Sequence, residues 1–171
     1  MQSLYDIDAV RYMWKELSNI GVHSLTSSND VEKALGNQEG TTLLIINSVC
    51  GCAAGHARPG LGLALQHNII PDNMVTVFAG VDRLATQKAR DFLPDIDPSS
   101  PSIALFKNGE LVYMMHRYMI ERSDADGVSR ELIAAFNQFC ERTGPSVPKE
   151  VFENNFKAPQ CSSTIPKGAG A

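Results

Sequence analysis

The chain has 171 residues, 43% of them hydrophobic, with a formal net charge of -4, enough for one domain with a proper core. No block of Lys or Arg interrupts it, which argues against nucleic acid and anionic membranes as partners. No apolar run approaches the roughly 20 residues needed to cross a bilayer.

The start, Met1-Gln2-Ser3-Leu4-Tyr5-Asp6-Ile7-Asp8, has no basic opening and no apolar signal core, so a cytoplasmic location is expected. In that reducing setting the four cysteines point to redox catalysis or metal binding before structural disulfides. From Asp6 to Ile20, Ile7, Val10, Met13, Trp14 and Leu17 fall at helical spacing, and Gly21 ends the run. A short extended piece, Val22 to Leu25, precedes a helix to about Gly36, for which Asn29 and Glu32 form a capping box. Thr41 to Ile46 is apolar on both faces, as a central strand covered by helices requires.

Ala53 to Asn68 reads as helix, with Pro59 expected to kink or restart it because it lacks an N–H. Met74 to Ala79 is a second buried strand, and Leu84 to Leu93 a short helix. Pro94 to Pro101 holds three prolines and two serines and is a loop. Ile103 to Phe106 and Leu111 to Met115 flank Asn108-Gly109, the pair a type I′ hairpin turn favours. Asp126 to Arg142 is the last helix, striped by Val128, Leu132, Ile133, Ala135, Phe136 and Phe139. The fold class is therefore α/β: a mixed sheet with helices on both faces, an extra N-terminal helix and a C-terminal tail. Residues 1–142 form the domain. Residues 143–171, with four prolines, form a tail or surface strap, on which Phe152 and Phe156 are spaced to dock one helical turn.

Between the central strand and the next helix stands Cys50-Gly51-Cys52. Two thiols there sit where the positive end of a helix dipole favours thiolate over thiol. Exchange needs the attacking sulfur exposed and ionised, a role that suits Cys50, with Cys52 turned into the helix. Gly51 is best able to supply the backbone turn that a disulfide across one residue demands. Residual strain would make such a disulfide easy to reduce.

The element order resembles the thioredoxin fold. Asn47 through Gly55, then Ala57-Arg58-Pro59, Val75 through Gly80 and Ser99-Ser100-Pro101-Ser102 together resemble the bacilliredoxin family, over about Thr41 to Cys140. That resemblance implies removal of bacillithiol, or a similar low-molecular-weight thiol, from S-thiolated cytosolic proteins, with weak disulfide-isomerase activity. Cys50 would attack, Cys52 would act second, Pro101 would be the cis-proline facing them, and Ser100 would offer backbone to substrate. Bacillithiol enters as a thiol co-substrate; no cofactor and no metal are called for. Unlike thioredoxins, the strand Leu43-Leu44-Ile45-Ile46 carries no acid, and Val49 stands where they have Trp.

Arg58 follows the motif and is a candidate for binding the carboxylates of a small thiol; a structural arginine is the competing reading. His56, His116 and Arg117 read as helix, surface or packing residues, Cys140 as a packed small hydrophobe, and Cys161 as an idle thiol or one that resolves an adduct on Cys50. Two other functions compete. Cys-Gly-Cys can hold a soft metal or part of an iron–sulfur cluster, but further ligands would have to come from irregularly spaced residues. A thioredoxin-like binding module without turnover would have no need of the paired cysteines.

Overall fold

The computed structural model describes residues 1–36 and 39–157; Cys161 lies outside the described residues. Helix α1 (Ile7–Ser18) starts where the Asp6 carboxylate accepts the amides of Asp8 and Ala9. Strand β1 (His23–Ser24) and helix α2 (Ser28–Leu35) follow. The capping box of α2 is Ser27 with Asp30, not Asn29 with Glu32. The cap begins two residues earlier because Ser27 is the residue whose extended backbone (φ -128°, ψ 158°) aims its hydroxyl at the N–H of Asp30.

Strand β2 (Thr41–Asn47) is buried along its whole length. Its alternation sends Leu43 and Ile45 to one face and Leu44 and Ile46 to the other. The first pair meets Leu17, Leu61, Leu132 and Phe136, from α1, α3 (Arg58–Ala64) and α6 (Ala125–Phe139). The second meets Val31, Leu35, Ala85 and Ala89, from α2 and α4 (Arg83–Asp91). The sheet runs β1-β4-β2-β5-β6, with β4 spanning Asn73–Phe78, β5 Ser102–Lys107 and β6 Glu110–Met115. Parallel pairing on the β4 side and antiparallel pairing on the β5 side give the expected mixed sheet with helices on both faces. Asn108 (φ 50°) and Gly109 (φ 81°) turn the hairpin with both central residues left-handed.

The expected helix from Ala53 splits in two. Ala53–Ala57 is π-helical, and α3 begins at Arg58. Pro59 has no N–H to give the Gly55 carbonyl, and its ring crowds that carbonyl, so the turn ahead of it widens. After the hairpin comes a helix the sequence reading did not include, α5 (Arg117–Glu121), only five residues long and without a periodic stripe. The last helix ends at Phe139 rather than Arg142, because β7 (Arg142–Thr143) pairs with β3 (Ile69–Ile70).

Beyond β7 the chain lies along the domain. Ser146 donates from its amide to the Leu65 carbonyl and from its hydroxyl to the Ile20 carbonyl. Helix α7 (Lys149–Asn155) brings Phe152 and Phe156 over Gly62, where a Cβ would stand 3.0 and 2.6 Å from their rings. The two phenylalanines thus dock as expected. Asn155 donates to the Glu16 carbonyl at 2.6 Å. Among the described residues no helix is long and apolar enough to cross a membrane.

Helix α6 packs closely on α3 at Gly60, where a Cβ would lie 2.7 Å from Val128 and 2.9 Å from the Ala125 carbonyl oxygen. Gly60→Ala is expected to cost about 1–3 kcal/mol by crowding, outweighing the roughly 1 kcal/mol of helix propensity it gains. A lower urea midpoint with an unchanged slope is the expected reading.

Candidate active site

The register of the sheet assembles the site. Ile46 of β2 lies opposite Ser102 of β5, so the chain entering β5 through Pro101 passes the end of β2 from which Cys50-Gly51-Cys52 departs. The Ser100–Pro101 peptide is cis. The hairpin then carries the chain back, because Met115 at the end of β6 pairs with Ile103, and α5 starts beside the same edge. His56 ties α5 to the motif helix: its Nδ1–H donates to the Ile120 carbonyl at 2.9 Å.

Cys50 and Cys52 are both half-buried and unpaired by a disulfide, with their sulfurs 2.7 Å apart. Helical geometry begins at Gly51, and the Cys50 carbonyl accepts the amides of Ala53 and Ala54, so Cys50 stands at the start of the helix as expected. Gly51 is exposed, adopts no left-handed φ, and a Cβ there would meet nothing within 4 Å. In the dithiol form its backbone therefore does not need glycine; what the small residue supplies is open surface over the sulfurs.

The two thiols are electrostatically unequal. Burial opposes ionisation of Cys50, but hydrogen bonds from Cys52, Ser48 and the Ala53 amide, with the charge of Arg117, outweigh it and bring its pKa below the usual thiol range. Burial, then the hydrogen bond and charge of Cys50, push Cys52 up to about 11. Of the two sulfurs, the first is thus the more readily ionised and the second the better holder of the proton. Cys140, buried beside the end of α6, is pushed up to about 11 by burial and packs as a small hydrophobe.

The loop ahead of the motif is held from below. Arg58 is fully buried, and its Nε donates to Glu16 at 2.6 Å. Its Nη1 donates to the Asn47 side-chain oxygen and to the Ser48 carbonyl, both at 3.1 Å. The Asn47 oxygen also accepts the Ser48 amide at 2.9 Å, and the Ser48 hydroxyl accepts the Cys50 amide at 3.1 Å. This corrects the substrate-binding reading of Arg58: a guanidinium with no exposed surface and a carboxylate already on it does not reach a substrate. Glu16 lies 42 residues away in sequence, so no local pattern announced it.

Three other residues acquire roles that sequence reasoning missed. Ser48 was visible only as a neighbour of the motif. His56 was passed over as a helix residue. Arg117, read as surface or packing, projects at the mouth of the site, with Nη1 on the Ser100 carbonyl at 3.2 Å and Nε on Glu121 at 2.6 Å. Pro101 is buried and Ser100 half-buried beside it. Among the described residues no third His, Cys, Asp or Glu joins the two thiols into a metal-sized cluster.

Residues 5–140 match the family model described as Disulphide isomerase. Bacilliredoxins of Staphylococcus aureus strains NCTC 8325 and COL are each 46% identical to the chain over 138 residues, covering 81% of it and 94% of the relative. A bacilliredoxin of strain MRSA252 of the same species shares the same identity and coverage. The chain belongs to the bacilliredoxin family, and both descriptions support a role in thiol–disulfide redox chemistry.

Removing one member of a buried ion pair leaves the other charge unpaired, at a cost of about 3–5 kcal/mol. Arg58→Ala is expected to lose that much in urea unfolding. A change within 0.5 kcal/mol, the range of an ordinary surface substitution, would contradict the placement of Arg58.

Proposed function

We propose that the protein removes bacillithiol, or a similar low-molecular-weight thiol, from S-thiolated cytosolic proteins by exchange at Cys50. The observation that carries this reading is the inequality of two sulfurs 2.7 Å apart, one with its pKa lowered and the other pushed up to about 11. The Cys50 thiolate attacks the small-thiol sulfur of the mixed disulfide in line. A new sulfur–sulfur bond forms on Cys50, the old one breaks, and the electron pair leaves with the protein sulfur, which is restored as thiol.

The adduct alters Cys52. Once Cys50 is bonded to the small thiol it no longer bears a negative charge, and two of the four influences that raise Cys52, its hydrogen bond to Cys50 and the Cys50 charge, fall away. Cys52 then ionises more readily and attacks Cys50, releasing the small thiol and leaving a Cys50–Cys52 disulfide. Two electrons from an external thiol return the pair to the dithiol. With a protein disulfide in place of a mixed one, the same first step gives an isomerase, since Cys50 leaves again when another protein thiol attacks.

Open surface at Gly51 and Gly55, where added Cβ atoms would meet nothing within 4 Å, leaves room for a protein-sized mixed disulfide. A metal-handling reading would require ligands in addition to the two thiols, and a binding module would have no use for an ionised Cys50.

Mass spectrometry of Cys52→Ala after incubation with bacillithiolated and glutathionylated test proteins tests the proposal. The expected product is the free test protein and a small-thiol adduct on Cys50, strongest from the bacillithiolated donor. No adduct from either donor, or an adduct carried on Cys140, would overturn it.

A further inference from the structure

With Arg58 sealed beneath the motif, recognition of a small acidic thiol falls to another cation, and we infer that Arg117 is the residue that takes the carboxylate of the thiol adduct while Cys50 attacks its sulfur. The inference rests on the exchange reading above and names a specificity residue for it.

Four observations converge. Arg117 lies across the mouth of the site, its Nη1 on the carbonyl of Ser100, the residue next to Pro101. Its side chain is 47% exposed, open to a ligand as Arg58 is not. It is the cation whose charge acts on both sulfurs, lowering the pKa of each. Beside it lies an open cleft of about 420 Å³, walled by Asp95, Asp97, Ser99, His116, Tyr118 and Glu121, within the size range of small-molecule sites. The His116 and Tyr118 rings stack at 5.5 Å and form an ordered flank.

Guanidinium chemistry suits the role. Arg presents five N–H donors in a rigid fork that matches a carboxylate. The contacts to Glu121 and Ser100 use the Nε–H and one Nη1–H, so donors remain on the outer edge of the fork. The present carboxylate partner, Glu121, is four residues along the same helix and 44% exposed. Exposed pairs of this kind are weakly held, so a ligand carboxylate can join or replace Glu121 at little cost. Glu121 also raises Cys52 while Arg117 lowers it. Among the residues lining the cleft, which include the carboxylates of Asp95 and Asp97, Arg117 is the one arginine or lysine, so a ligand carboxylate finds its positive partner there.

The test uses one protein carrying four different adducts on the same cysteine. Bacillithiol and glutathione bear carboxylates; cysteamine and 2-mercaptoethanol bear none. Release of the protein thiol is followed for wild type, Arg117→Ala, Arg117→Gln and Arg117→Lys. Loss of a charge-assisted, bidentate contact predicts that Arg117→Ala and Arg117→Gln lower kcat/KM by about ten- to a hundredfold on the carboxylate-bearing adducts. The carboxylate-free adducts report only the loss of the Arg117 charge beside Cys50 and fall less, so the ratio of kcat/KM between the two adduct classes drops by about tenfold or more, and Arg117→Lys keeps part of the selectivity. Equal losses on all four adducts would overturn the inference, since Arg117 would then act through the thiolate or the fold. A wild type inactive on all four would remove the exchange reading along with it, whereas an active wild type with unselective variants removes this inference alone.

Discussion

The buried contact between Arg58 and Glu16 is the constraint on which the rest of the site depends. It joins the motif helix to α1, and from the same guanidinium two further hydrogen bonds fix Asn47 and Ser48. Those residues are the path from the central strand to Cys50, so the nucleophile's backbone hangs from a side chain eight residues ahead. The network is not assembled for stability alone. Arg58 Nη2 and Asn47 Nδ2 are buried donors without a hydrogen-bond partner among the described residues, and an incompletely satisfied buried network is worse for stability than apolar packing. Its return is geometric, in a loop that cannot shift without breaking several charged contacts at once.

That fixed loop explains the order of the chemistry. Ser48 meets Cys50 twice, accepting its amide and favouring its ionised sulfur, and the first amides of the helix act on the same residue. Cys52 receives no comparable help and is raised by the very charge that its neighbour carries. In the proposed exchange, this inequality assigns the attack to Cys50 and the second step to Cys52. A buried acid does lie near the site, as in thioredoxins, but it comes from α1 rather than the central strand and is neutralised by Arg58.

Much of this was legible in the sequence, and the exceptions share a cause. The unbroken apolar run of β2, the Asn108-Gly109 turn, the disruption at Pro59 and the place of Cys50-Gly51-Cys52 between strand and helix are local signals, and each lies where its pattern indicates. Ser27 and Asn29 are both competent caps, and backbone geometry chose between them. The two arginines show the limit of local reading. Arg58 is close to the motif along the chain, yet it turns inward to a glutamate on another helix. Arg117 lies far from the motif in sequence, yet a tight hairpin and a five-residue helix return it to the sulfurs. Distance along the chain ranked them in the reverse of their order in space.

The central claim is that Ser48, held in place by Arg58, helps bring the Cys50 pKa below that of an ordinary thiol. The most direct measurement is a pH titration of ultraviolet thiolate absorbance in wild type and Ser48→Ala, with the Cys50→Ala trace subtracted from each. The account predicts a Cys50 transition below the usual thiol range in wild type, displaced upward in Ser48→Ala, with Cys52 silent until about pH 11. A Cys50 that titrates at or above the ordinary range, or a transition unmoved by loss of the Ser48 hydroxyl, would contradict it.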